Sequence, residues 1–232
     1  WLGLSKYYDM LLGESFGNYR SLLGKVTRHP IMGVFLSHLK NRKGDGQRFP
    51  DENYAREVMQ LFSVGLYKLS LSGNIRTIDV DPDPNVEDLQ PLTTYDNDDI
   101  KSFARVFTGY TYRGSAAFDF LAKRRNLNQS MAMYNPEHDM DPKRLLYGPL
   151  TPANQGGIAD VDAALDNLFE HPSAGPFIAR LLIQRLVRSN PSGSYVVRVA
   201  RAFNGVDANG AYTNPRGDMK AVLKAILLDP QA

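Results

Sequence analysis

The 232 residues contain no cysteine, which excludes disulfides, zinc–thiolate centres and a thiol nucleophile within this chain. Nor is there a run of about 18 apolar residues, the length a helix needs to cross a bilayer. An excess of one charge is missing too. Lys+Arg 27 against Asp+Glu 25 leave a formal net charge of +2, far from the basic surplus of a dedicated nucleic-acid binder. A Gly-rich phosphate loop, a G-x-S-x-G elbow and an H-E-x-x-H helix are all absent, so the familiar enzyme classes have no foothold. The N-terminus lacks the basic, apolar, small-residue order of a signal peptide.

What is present is apolar content of 43%, enough to bury a core without covalent staples, and helical periodicity over most of the chain. Leu4 to Leu12 and Tyr19 to Val26 read as short helices. His29-Pro30 opens another, because proline at the first helical position loses no needed donor. His171-Pro172 repeats the device between "DVDAALDNLFE" and the next helix, so both histidines read as caps. "YDNDDIKSFARVFTGY" starts from an Asp/Asn cap and stops at Gly109, and four helices follow from Asp160 onward. The expected fold is mainly α, a multi-helix bundle-like single domain over residues 1–232 whose core centres on the 173–188 helix. The chain starts at Trp1 without methionine and stops at "KAILLDPQA", which suggests the C-terminal part of a larger domain.

Between Leu66 and Tyr95 the period changes. "LYKLSLSGNIRTIDV" alternates around Ser72-Gly73-Asn74 and predicts one small β-hairpin over 66–80. Two further short strands are expected near "AAFDF" and "SMAMY". The acidic loop "DVDPDPNVEDLQ" sets Asp79, Asp81, Asp83, Asn85 and Glu87 at EF-hand-like spacing. Pro84 stands where that loop needs glycine, however, and Gln90 replaces the bidentate glutamate. A solvated loop is the default, with Asp79, Asp81 and Asp83 as weak metal candidates.

Two polar clusters compete for chemistry. In "FPDENYAREVMQLFSVGLYKL" a helical wheel puts Tyr54, Val58, Leu61, Phe62 and Gly65 on one face and Glu52, Asn53, Arg56, Gln60 and Ser63 on the other. Glu52 and Arg56 form an i, i+4 pair. Glu57 lies at the margin, where a buried carboxylate would need a partner. "NPEHDMDPKRLLYG" offers His138, Asp139, Asp141 and Lys143, an imidazole beside carboxylates and so a nucleus for acid–base or metal chemistry. Asp141-Pro142 there reads as a cap ahead of one or two helical turns over "KRLL". Arg180, Gln184 and Arg188 share an inclined row on the 173–188 helix, with Arg185, Arg198 and Arg201 nearby. They read either as a basic surface for an acidic ligand or as core-edge arginines paired with carboxylates.

"PDENYAREVMQLFSVGLYKL", "TYDNDDIKSFARVFTGY", "HDMDPKRLLYG", "HPSAGPFIARLLIQRLVRSNPS" and "RGDMKAVLKAILLDPQA" occur in the order seen in the bacterial domain of unknown function 1800 family. The chain resembles the C-terminal half of a member. The resemblance implies a largely helical domain, a periplasmic or extracellular setting, and as partners the N-terminal half and a co-encoded protein with sulfatase-like features. It carries no reaction and no cofactor. The recurring polar positions it marks are Asn53, Arg56, Glu57, His138, Asp139 and Lys143, together a candidate cleft. Val58 and Gln60 stand where the family's pattern more often has leucine and, at Gln60, sometimes glutamate.

Two readings follow. One is a non-catalytic export, assembly or surface-binding module, with Glu57 held by a donor from the "HDMDPK" turn. The other is a hydrolase-like or metal-dependent enzyme in which Glu57 and the His138/Asp139 pair converge.

Overall fold

The computed structural model describes residues 2–80, 87–115, 118 and 125–232. Among them are nine helices and two small antiparallel sheets. The contacts sort the chain into two units. One comprises Trp1–Ser15, Arg20–Val58 and Asp96–Phe169, the other Phe16–Tyr19, Met59–Tyr95 and Glu170–Ala232.

The first unit holds α1 (Leu2–Glu14), α2 (Tyr19–Arg28, from Arg20 on), α3 (Pro30–Phe35), most of α4 (Asn53–Gln60), α5 (Asn97–Val106) and most of α6 (Gly157–Glu170). α3 begins as its His-Pro start requires, for the His29 Nδ1 accepts the Ile31 amide and Pro30 takes the first turn. α5 is closed by a reciprocal capping box, the Asp96 carboxylate on the Asp99 amide and the Asp99 carboxylate on the Asp96 amide. The core gathers on Tyr54, Ala55, Val58, Phe103, Phe107 and Leu165, all buried. Tyr54 meets Phe107 edge-on at 4.8 Å and donates its hydroxyl to Thr27 Oγ1 at 2.7 Å. A two-residue sheet pairs β3 (Tyr110–Thr111) with β4 (Ala132–Met133). β4 is the strand expected near "SMAMY"; in "AAFDF", Ala116, Ala117, Asp119 and Phe120 lie outside the described residues.

The second unit packs α7 (Ala174–Leu186) and α9 (Met219–Leu227) against α8 (Gly193–Asn204). α8 is the middle helix of the three. Tyr195, Val196, Val199, Ala200 and Phe203 are all inside, and the Tyr195 hydroxyl donates to the Ile226 carbonyl at 2.6 Å. α7, the expected centre of the core, buries Ala174, Gly175, Pro176, Ile178, Ala179 and Ile183. Phe177, Leu181 and Leu182 are half-buried and Leu186 is 50% exposed. Apolar residues all round do not by themselves decide which face finds a partner.

The predicted turn at Ser72-Gly73-Asn74 is present, with Ser70 and Asn74 bonded at 2.9 Å and a Leu69–Ile75 bridge. Beyond it the ladder moves on. β1 (Thr77–Asp79) pairs with β2 (Leu89–Pro91), and Lys68 donates its amide to the Leu92 carbonyl at 2.7 Å. A two-stranded ribbon alone is marginal in water, and the 89–94 segment supplies the extra pairing.

Candidate functional site

The "HDMDPK" turn leaves β4 through a short 3₁₀ turn, Asn135–Glu137. Gly109 lets it approach β3. At φ +88° this residue is in the left-handed region, and a Cβ there would lie 3.0 Å from the His138 Cβ and 2.9 Å from the Met133 sulfur. His138 is consequently enclosed, with 0% exposure. Its Nδ1 lies 2.9 Å from the Thr108 carbonyl and its Nε2 lies 2.9 Å from Asp160 Oδ2. Both ring nitrogens face acceptors inside the protein, so neither presents a lone pair to open space.

Lys143 is also fully buried. Its three ammonium hydrogens have three acceptors, the Asp139 carbonyl at 2.5 Å, the Asp141 carbonyl at 2.9 Å and Asp160 Oδ2 at 2.6 Å. Asp160 sits in the first turn of α6, where the helix dipole favours a carboxylate. Burial alone would raise its pKa, but hydrogen bonds from His138, Lys143 and Gln155, with the Lys143 charge, hold it at about 2.

Asp139 closes the outer side of the cluster. Arg105 grips its carboxylate with Nε at 2.7 Å and Nη2 at 2.9 Å. The Asp139 amide donates to Thr108 Oγ1 at 2.9 Å, and that hydroxyl donates to the Arg105 carbonyl at 2.7 Å. Against the cost of burial, Arg105, the Asp141 amide and Lys143 bring the Asp139 pKa below the usual carboxylate range. The cluster is a closed set of complementary charges whose donors and acceptors are matched within the protein.

The predicted helical turns over "KRLL" do not form. Lys143 exchanges backbone and hydroxyl bonds with Thr151 at 3.0 Å, the Arg144 carbonyl accepts the Ser102 hydroxyl, and the Leu146 amide bonds Asn167. Those partners take the backbone groups that a helix would pair internally.

The family described as "Protein of unknown function (DUF1800)" matches residues 1–232. The chain belongs to the DUF1800 family. No curated protein and no solved structure matches it.

In this DUF1800 chain the structure brings His138, Asp139 and Lys143 into one cluster, but not by way of Glu57. The expected bond from the "HDMDPK" turn to Glu57 is not made. The His138 nitrogens and the Lys143 ammonium are committed to Thr108, Asp160 and backbone carbonyls. Glu57 is half-buried, and its side chain makes no hydrogen bond or ion pair among the described residues. Arg56 pairs with Glu52 at 2.7 Å on the surface, as the i, i+4 spacing predicts. Asn53 reaches Ser37 Oγ at 3.3 Å. Leu61 falls beyond the end of α4 and is 53% exposed rather than on its buried face.

The weak metal candidates divide. Asp79 accepts the Asp88 amide at 3.1 Å within its own hairpin, while Asp81 and Asp83 lie outside the described residues. Among the described residues no group of three or more His, Asp or Glu side chains is placed to hold a metal ion.

Asp160, Arg105, Thr108 and Gln155 are the residues that sequence reasoning missed. A signal for Asp160 existed. It shares the inner face of α6 with Ala164, Asn167 and Leu168, at i, i+4, i+7 and i+8, and a carboxylate on that row must be paired.

Proposed function

We propose that this protein is a non-catalytic assembly or surface-binding module, with the His138–Asp160–Lys143 cluster as its internal brace. One observation carries the reading: His138 and Lys143 have 0% exposure and Asp160 has 1%, and each side-chain nitrogen of His138 and Lys143 already has a hydrogen-bond partner. A general acid or base must reach the proton it transfers, directly or through one water. A metal ligand must offer a lone pair. Groups committed in this way support neither task, whereas they suit a turn pinned to the first turn of α6.

The test is a parallel measurement of turnover, bound metal and melting on the parent protein, His138→Ala and Asp160→Asn. Chromogenic phosphate, sulfate, carboxylic ester and glycoside substrates are supplied with and without divalent metals. The expected result is a large loss of melting temperature in both variants, with no turnover in the parent that depends on either residue. Turnover or stoichiometric metal that disappears in a variant still melting like the parent overturns the reading in favour of a hydrolase-like enzyme.

A further inference from the structure

The second unit carries an open trough of about 710 Å³ between α7 and the 60–75 segment. Leu61, Leu66 and Ile75 form one wall and Phe177, Leu181 and Leu182 the other. Gly65 lets the walls approach: at φ +74°, a Cβ there would lie 2.7 Å from the Phe177 ring. The exposed apolar side chains are contiguous. Leu61 is 53% and Ile75 47% accessible, a concentration that isolated surface leucines do not produce.

The charges in the wall have one sign. Arg180 and Arg185 line the trough, and among the described residues no carboxylate does. Arg180 spends one N–H on the Gly73 carbonyl at 3.1 Å. Arg185 is exposed, and its side chain makes no hydrogen bond or ion pair among the described residues. Arg198, by contrast, is gripped by Asp229 at 2.6 and 2.8 Å and is not available. Of the arginines noted in the sequence, Arg180 and Arg185 beside the apolar trough have no carboxylate partner among the described residues.

We infer that this trough docks an acidic amphipathic helix of a partner protein, its apolar face against Leu61, Ile75 and Phe177 and its carboxylates against Arg180 and Arg185. The inference deepens the binding-module reading and rests on it. Two physical points select the occupant. A small ligand typically has about 70–90% of its surface covered in its pocket, and walls this accessible leave it in water. A helix needs only one face covered. Two cations without carboxylates reject a basic helix and steer an acidic one.

The test is fluorescence anisotropy on the intact protein with two labelled helical peptides. Both have leucines on one face, one bordered by glutamates and the other by lysines. Phosphatidylglycerol vesicles and palmitate are parallel arms. The glutamate peptide is expected to bind saturably and about tenfold or more tighter than the lysine peptide. Arg185→Glu should abolish that preference and Leu61→Ser should weaken both peptides, with melting curves unchanged. The inference is overturned if the peptides bind alike, if neither binds, if Arg185→Glu has no effect, or if vesicles or palmitate bind in their place. His138-dependent turnover would instead fail the binding-module reading, so the two failures are distinguishable.

Discussion

Lys143 donates to Asp160 across 2.6 Å with both side chains closed to solvent. They are seventeen positions apart in the chain, and the same carboxylate oxygen also receives His138. Removing one member strands a buried charge, which costs about 3–5 kcal/mol. Lys143→Ala should therefore lower unfolding stability by that order in a denaturant titration. Lys101→Ala, which breaks an exposed pair with Asp98, should change it by less than about 1 kcal/mol. Equal effects would mean that the buried pair contributes no more than a surface contact.

Acid should reveal the same carboxylate. With a folded pKa of about 2 against an ordinary value of 3.8, Asp160 binds protons more readily when unfolded. Its stabilisation is present above the unfolded value and disappears as the pH falls toward about 2. By linkage the amount is on the order of 2 kcal/mol. Melting temperatures between pH 5 and 2 should fall steeply in the parent and less steeply in Asp160→Asn; parallel curves would assign the acid sensitivity elsewhere.

Two histidines act in a higher window. Burial pushes His38 down to about 4, partly offset by its bond to the Thr27 carbonyl. Burial, with Lys68 and Arg216 nearby, takes His171 to about 4 as well. Each is lower than the ordinary 6.5, so the unfolded chain takes up the proton first and stability declines as the pH drops from about 6.5 to about 4. The His38 ring stacks 3.9 Å from Tyr54, and His38→Phe retains an aromatic surface while removing the titration. Its stability should vary less over that window than the parent's.

Glu57 separates a structural carboxylate from a bystander. With a half-buried side chain and no partner among the described residues, Glu57→Ala should alter stability by no more than about 0.5 kcal/mol. Gln60→Ala is the matched control on the same helix. A loss of several kcal/mol confined to Glu57→Ala would restore the paired role.

Gly109→Ala tests the approach that encloses His138. A non-glycine residue at φ +88°, with its Cβ 2.9 Å from Met133 and 3.0 Å from His138, is strained by about 1–3 kcal/mol from the backbone alone. The contacts add to that. Gly114→Ala, also at positive φ but with nothing among the described residues near its Cβ, should cost less; thermal melts of the pair separate backbone strain from the clash.

Much of the molecule follows from forces that act within a few residues, and those were legible in the chain. The His29 ring cap, the Asp96–Asp99 capping box and the Glu52–Arg56 pair depend on neighbours two to four positions away, and so does the mainly helical class. Tertiary structure decided the rest. "KRLL" is not helical because Thr151, Ser102 and Asn167 claim its backbone. The donors of "HDMDPK" serve Asp160 rather than Glu57 because packing delivers the first turn of α6 to them. Which face of α7 stays open likewise depended on α8 arriving at the opposite one. A desolvated charge or an apolar stripe states in the sequence that it needs a partner, but the identity of that partner is a property of the assembled fold, where contacts distant in sequence are chosen together.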